Sequence, residues 1–255
     1  MNAGGHWGDL LQGTIGNFEQ AAFWLAVPQI ILVNILLSGD NAVVIAMACR
    51  GLPPRQRFWG MAMGAGVSVT LLITFAAIVS KLMVLPYLKV AGGLVLLYIA
   101  VQLPLPEEAD ENEIEAVTHL WRAVRTIFVA DFVMSLDNII AVAAVAKGNL
   151  ALIATGLAIS IPVILAGSAL IMGLLERFPI LIWVGGGLLG WVAGETIATD
   201  TEVTRYLAGA FGDDVLHRVE LAAAVAGVVL VLAIGGLWRR ARLAKASVGG
   251  KASDS

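Results

Sequence analysis

The chain has 255 residues, of which 59% are hydrophobic and only 14% are charged, whereas a soluble domain usually carries about a quarter charged residues. This composition, with a mean hydropathy of +0.87, indicates an integral membrane protein rather than a soluble one. The formal net charge of −3 gives no indication of nucleic-acid binding, and the single cysteine, Cys49, excludes an internal disulfide and a cysteine-cluster metal site.

Apolar runs of about 20 residues, the length that crosses the hydrocarbon core of a bilayer, recur along the chain. They predict an all-α, polytopic membrane protein with seven transmembrane helices, and the lipid bilayer as its surrounding partner. The predicted spans are 22–48, 58–80, 84–103, 124–146, 150–174, 179–198 and 219–238.

The segments outside these spans predict the orientation. They are an N-terminal segment (1–21), an acidic linker (104–123), a loop (199–218) and a basic tail (239–255). Eleven of the 16 Lys and Arg residues fall on the side that holds the linker and the tail. The positive-inside rule therefore places the N-terminus outside and the linker and C-terminus in the cytoplasm. The first 20 residues contain no Lys or Arg and do not look like a secretory signal.

The first and fourth spans contain an internal repeat, "NILLSGDNAVVIAMACRG" at 34–51 and "DFVMSLDNIIAVAAVAKG" at 131–148. A shift of 97 residues aligns four polar pairs: Asn34 with Asp131, Ser38 with Ser135, Asp40 with Asp137, and Asn41 with Asn138. Each repeat is then three helices long, 22–103 and 124–198, and the helix at 219–238 is an addition. Because three is odd, the second copy enters the membrane from the opposite side, an inverted arrangement that is common in transporters.

Each repeat carries a supporting polar stripe. The stripe consists of residues spaced i, i+4 and i+7 on one helical face: Asn34, Ser38 and Asn41 in the first copy, and Asp131, Ser135 and Asn138 in the second. Asp40 and Asp137 lie about 100° to one side of this stripe on an ideal helix. Ser38 and Gly39 predict a weak point in the first helix, because glycine is flexible and serine competes for backbone hydrogen bonds. Leu136 stands at the equivalent place in the second copy, so a matching break there is not indicated.

Three carboxylates, those of Asp40, Asp131 and Asp137, fall within apolar runs. A lone carboxylate at bilayer depth costs a few kcal/mol, so these side chains must face the protein interior. Helix-to-helix hydrogen bonding is the alternative to a binding function. Carboxylate and amide oxygens suit magnesium, calcium or manganese. We therefore predict a metal site at Asp40, Asn41, Asp137, Asn138 and Asp131, with no permanently bound cofactor and with protons as a second candidate ligand.

Other features allow two interpretations each. Met47 and Met134 would add a soft sulfur contact that suits manganese, or simply pack. Glu195 is either a vestibule acid or an ordinary interfacial one. Glycines at four-residue spacing predict close helix packing, with a homo-oligomer contact as the alternative. The sequence has no H-E-x-x-H motif and no P-loop, and its three histidines lie outside the predicted spans, so an enzyme is not expected.

The doubled Ser-x-Asp-Asn pattern in these two stretches resembles the TerC family of integral membrane proteins, and its YjbE-type members in particular, over about residues 22–238. The resemblance implies a seven-helix fold with inverted repeats and the export of manganese across the bacterial cytoplasmic membrane. It also implies that Asp40, Asn41, Asp137, Asn138 and Asp131 occupy the family's intramembrane polar positions.

Two other functions stay open at this point. The first is the export of a small organic solute such as an amino acid. That cargo needs a cationic partner for its carboxylate, and no Lys or Arg lies deep in any predicted span. The second is a non-transporting membrane component of a metal or tellurium stress-resistance complex.

Overall fold

The computed structural model describes residues 21–82, 85–105, 113–146, 149–211 and 215–252. The predicted N-terminal segment, except for Ala21, and the central residues 106–112 of the predicted linker lie outside these ranges. Within them the regular structure is helical, which confirms the all-α class. The helices are α1 (Ala21–Leu37), α2 (Gly39–Cys49), α3 (Pro54–Leu82), α4 (Leu88–Gln102), α5 (Glu113–Val145), α6 (Leu150–Arg177), α7 (Ile180–Ala198), α8 (Thr201–Phe211) and α9 (Leu216–Ala252).

Five of these helices, α3, α5, α6, α7 and α9, are each long and apolar enough to cross a membrane. Together α1 and α2 form one further candidate span, bent by 55° at the break between them. The chain is therefore a multi-pass membrane protein with up to six such spans in its described part. The remaining predicted span corresponds to α4, whose 15 residues reach about 22 Å at 1.5 Å per residue, short of a full bilayer core.

The helix break falls at the predicted weak point. Ser38 alone separates α1 from α2, and Gly39 begins α2. In the second copy, α5 runs without interruption from Glu113 to Val145 and passes through Leu136. The two aligned stretches thus differ in backbone shape, as the Gly-to-Leu difference between them indicates.

A buried carboxylate joins two helix starts at the end of the bundle that holds α8. Asp200, only 2% exposed, accepts hydrogen bonds from the backbone amides of Lys89 (3.2 Å) and Val90 (3.4 Å) in the first turn of α4. It also accepts one from the Glu202 amide (2.9 Å) in α8. Because the first amides of a helix have no partner within the helix, one carboxylate that accepts from both stabilises two helix ends at once.

Helices of the first half of the chain (α1 to α4) pack against helices of the second half (α5 to α7) in two corresponding pairs. The second helix of each half packs on the first helix of the other: α3 on α5, and α6 on α1 and α2. At the first of these crossings Gly64 lies against Ile127, and at the second Gly156 lies against Ile30. Ile30 and Ile127 are separated by the same 97 residues that align the two polar stretches.

The crossing of α4 with α7 is also reciprocal. Gly93 of α4 lies against the Ala193 carbonyl of α7, and Gly186 of α7 faces the Ala100 carbonyl of α4. A shift of 93 residues relates both glycines and both alanines. Each helix therefore supplies the other with the same kind of close backbone contact.

Glycines also bring α7 and α9 into close contact. A Cβ atom added at Gly194 would lie 2.1 Å from the Ala223 carbonyl oxygen, and one added at Gly227 would lie 2.0 Å from that of Gly190. Neither distance is sterically possible, so only glycine permits this backbone approach. The regularly spaced glycines of α7 thus form close helix contacts within this chain.

We expect Gly227→Ala to lower the unfolding free energy by about 1–3 kcal/mol, because the new methyl group would push α9 away from α7. The matched control is Gly236→Ala in the same helix, where an added Cβ meets nothing within 4 Å. That change should be neutral or stabilising by up to about 1 kcal/mol, since alanine favours helix. Thermal unfolding of the purified protein in detergent measures both, and equal midpoints for the two variants would contradict the proposed close contact.

Candidate functional site

The break between α1 and α2 is held by a side chain from the other half of the chain. The Asn41 amide, which in an unbroken helix would bond to the Leu37 carbonyl, instead donates to Asp40 Oδ1 at 2.8 Å. The Leu37 carbonyl accepts from Asn138 Nδ2 of α5 at 3.2 Å. An unpaired carbonyl in lipid costs several kcal/mol. Asn138 removes this cost, because it donates a hydrogen bond to the carbonyl that the break exposes. The structure thus brings Asn138 of the second repeat to the helix break of the first.

Asn34 forms the first of two related polar clusters. Its Nδ2 atom donates to Ser160 Oγ of α6 at 2.7 Å, and its Oδ1 atom accepts from Ser38 Oγ at 3.2 Å. All three side chains are buried. Ser160 was not among the predicted residues. Its signal was its place in the sequence "GLAIS", four residues after the packing glycine Gly156.

Asp131 forms the corresponding cluster in the second half. Its side chain is 2% exposed, and its Oδ2 atom accepts from Ser135 Oγ at 3.2 Å. The Ser68 hydroxyl of α3 lies beside the carboxylate, but outside hydrogen-bond geometry. Ser68 follows Gly64 by four residues, as Ser160 follows Gly156. Each half therefore offers a serine to the polar residue of the other half.

Asp40 lies close enough to Asp131 for the two carboxylates to interact electrostatically. Asp40 is in the first turn of α2, and Asp131 is on α5, which packs against α2. Two carboxylates with like charge in a region of low dielectric are unfavourable unless a proton or a cation is shared between them. The break in the first helix thus places the Asp40 charge near the charge of the second half.

Several buried polar atoms near this pair have no protein partner among the described residues. They are Asp131 Oδ1 and both side-chain polar atoms of Asn41, whose side chain is 3% exposed. A buried amide or carboxylate without a partner costs a few kcal/mol. Unpaired oxygens on two neighbouring helices have the chemistry of ligands for a hard cation.

Asp137 is placed differently from its counterpart Asp40. It is 45% exposed and makes an ion pair with Lys89 Nζ of α4, a residue that was not predicted to belong to the site. No group of three or more His, Cys, Asp or Glu side chains that could hold a metal ion occurs in the described part of the chain. A cation at this place would need the amide and hydroxyl oxygens as well as the acids.

The remaining predicted residues lie apart from these polar clusters. Met47 is buried with its sulfur against Gly185 of α7, and Met134 packs in an apolar cluster with Val44. Glu195 is exposed near the end of α7, where its backbone carbonyl accepts from the Thr199 amide at 2.9 Å.

A cavity of about 450 Å³ opens at the other end of the bundle, beyond Met47. Its described lining includes four basic side chains, Arg50, His119, Arg122 and Arg239, and no acid. Such a lining opposes the approach of a cation. The cavity is therefore distinct in charge from the acidic site near the helix break.

Comparison with known proteins decides the family. The model of the "Integral membrane protein TerC family" matches residues 19–243, almost the whole described chain. The chain belongs to the TerC family. It is 45% identical over 179 residues to the "Uncharacterized membrane protein YjbE" of Bacillus subtilis (strain 168), with 70% of this chain and 82% of that protein aligned.

This TerC chain also has two more distant similarities to bacterial proteins. It is 25% identical over 150 residues to the "Uncharacterized membrane protein YceF" of Bacillus subtilis (strain 168), covering 55% of this chain and 56% of that protein. It is also 25% identical over 172 residues to a "UPF0053 protein" of Buchnera aphidicola subsp. Schizaphis graminum (strain Sg), covering 60% and 33%. No solved structure matches this TerC chain.

We expect Asn138→Ala to destabilise this TerC protein by about 1–3 kcal/mol, because the Leu37 carbonyl loses its donor. Amide hydrogen exchange around Ser38 should become faster, since the break is then held on one side only. The matched control is Ile140→Ala, which removes an exposed apolar side chain two residues further along the same helix. Unchanged exchange around Ser38 in Asn138→Ala would show that Asn138 does not hold the break.

Proposed function

We propose that this TerC-family chain is a secondary transporter that exports a divalent metal cation, with manganese, the cargo implied by the family resemblance, as the first candidate. The observation that carries the proposal is the set of buried polar atoms at the helix break, Asp131 Oδ1 and the side-chain amide atoms of Asn41, that have no hydrogen-bond partner among the described residues. Membership of an integral membrane protein family is consistent with a transporter rather than an enzyme.

The charge balance of the site supports a dication. The interacting carboxylates of Asp40 and Asp131 carry a formal charge of −2, and the ion pair of Asp137 with Lys89 is formally neutral. One divalent cation would neutralise the charge of the two carboxylates. The available ligands are oxygens, which suit manganese, magnesium and calcium alike. In this proposal Asp40 and Asp137 are the principal ligands, Asn41 and Asn138 supply or orient oxygens, and Asp131 is a further ligand or a proton carrier.

The proposed fold has seven spans, with α4 as a short one, and two inverted three-helix halves. The reciprocal contacts Gly64–Ile127 and Gly156–Ile30 support this arrangement. The paired clusters of Asn34 with Ser160 and of Asp131 with Ser68 support it as well. The N-terminus is placed outside and the C-terminus in the cytoplasm by the distribution of basic residues. The ligand site then lies where equivalent helices of the two halves meet.

We expect Asp40→Asn and Asp131→Asn to reduce manganese flux at least about 100-fold, because each removes half of the paired charge that a buried dication requires. Glu176→Gln is the matched control, since Glu176 is an exposed acid that pairs with Arg57 away from the site. Purified protein in liposomes, loaded with manganese, magnesium or calcium and tested with imposed pH gradients, gives the measurement. Wild-type flux in the Asp40→Asn variant would contradict the proposed site.

The same flux panel separates the other two functions. An amino acid exporter would need a free cationic group for the cargo carboxylate, whereas the ammonium of Lys89 is paired with Asp137. Flux of an amino acid without metal flux would nevertheless favour that function. A component of a stress-resistance complex without transport activity would show no flux with any ion. Dependence of metal flux on the pH gradient would assign proton exchange to the cycle.

A further inference from the structure

The ion pair between Lys89 and Asp137 is a feature of the site that the two halves do not share. Asp137 in the second half is paired with the ammonium of Lys89. Its counterpart Asp40 makes no ion pair among the described residues and accepts a hydrogen bond from the Asn41 amide. The shift of 93 residues that relates α4 to α7 places Ile182 opposite Lys89. At this aligned position, only the first half has a basic side chain.

Lys89 is held in place from two directions. Its backbone amide donates to the buried carboxylate of Asp200 at 3.2 Å, which fixes the first turn of α4. One turn further along, Gly92 lies against Val133 of α5, four residues before Asp137. The side chain of Lys89 is only 15% exposed, whereas that of Asp137 is 45% exposed. The partly exposed acid is therefore paired with the ammonium of a mostly buried side chain whose backbone is held by Asp200.

An ammonium and a metal cation that bind to the same carboxylate repel each other, so each weakens the binding of the other. While Lys89 pairs with Asp137, that acid is neutralised, and only Asp40 and Asp131 attract a cation. When a cation binds to Asp137, Lys89 must move away. The pair is therefore a two-state element whose equilibrium depends on the cation.

Resting on the proposed function, we propose that Lys89 is a tethered counter-cation that competes with the transported metal for Asp137 and thereby promotes its release. Lys89 is a positioning residue rather than a ligand. Its ammonium replaces the departing dication at Asp137, so that the partly exposed carboxylate is never left without a positive partner. The competition weakens binding and accelerates release.

The test is Lys89→Gln in the full-length protein, with manganese binding measured by calorimetry and flux measured in liposomes. Without the competitor, the Kd for manganese should fall about tenfold, within the usual range of coupling between linked events. Both the apparent KM and the maximal flux per molecule should fall, because release becomes slower. A variant that merely damages the fold would bind manganese less tightly, not more.

Three companion variants complete the experiment. Lys89→Arg keeps the charge and should leave the Kd close to that of the wild type. Arg205→Gln removes a basic group from the α8 end of the bundle, where it pairs with Glu202, and should leave the Kd unchanged. In an Asp137→Asn background, Lys89→Gln should have no further effect, because the competition has already been removed.

The outcomes separate the inference from the proposed function. Wild-type protein that binds manganese, with an unchanged or weaker Kd in Lys89→Gln, would overturn the role of Lys89 and leave the transporter proposal in place. A tighter Kd in Arg205→Gln equal to that in Lys89→Gln would also overturn it, because the effect would then be one of general charge. Wild-type protein that binds none of manganese, magnesium and calcium would overturn both.

Discussion

The carbonyl of Leu37 is the constraint on which the site depends. A helix in lipid cannot be broken unless every freed backbone group finds a new partner. Here the break is possible because the Asp40 carboxylate accepts a hydrogen bond from the Asn41 amide, and the Asn138 side chain of the other half donates one to the Leu37 carbonyl. One hydrogen bond between the halves therefore stabilises the bend and connects α5 to the end of α1.

Close helix packing positions the rest of the site around that bond. Gly64 and Gly156 each pack against an isoleucine from the first helix of the opposite half. The serine four residues after each glycine, Ser68 or Ser160, then lies beside the polar residue of that opposite helix. Glycine at these positions allows the helices to approach, and this approach places Ser160 within hydrogen-bond distance of Asn34. The polar clusters follow from the packing of apolar residues around them.

Much of this arrangement can be predicted from the sequence, for physical reasons. The helical class follows from long apolar runs, and the break at Ser38 follows from a Ser-Gly pair that has no equivalent in α5. The involvement of Asp40, Asp131 and Asn138 in interior contacts follows from the cost of leaving them in lipid. These features depend on local composition, and a single sequence contains that information.

Other features depend on tertiary placement and were not predicted. Lys89 lies at the start of a short helix, so its reach to Asp137 depends on how α4 crosses α5. Asp200 was assigned to a loop, and its role at two helix starts appears only when α4 and α8 are side by side. The sequence predicts a span at 84–103, whereas the helix found there, α4, has 15 residues, which are too few for length alone to identify a membrane span.

The reciprocal packing has an energetic consequence for a molecule that alternates between two orientations. In a transporter with inverted halves, facing one side and facing the other differ only by which half adopts which shape. Identical halves would make the two orientations equally populated. Asn34 opposite Asp131, a Ser-Gly break opposite an unbroken helix, and Lys89 opposite Ile182 all remove that degeneracy. In the proposed transporter, the resting orientation would then depend on these polar and backbone differences between the two halves.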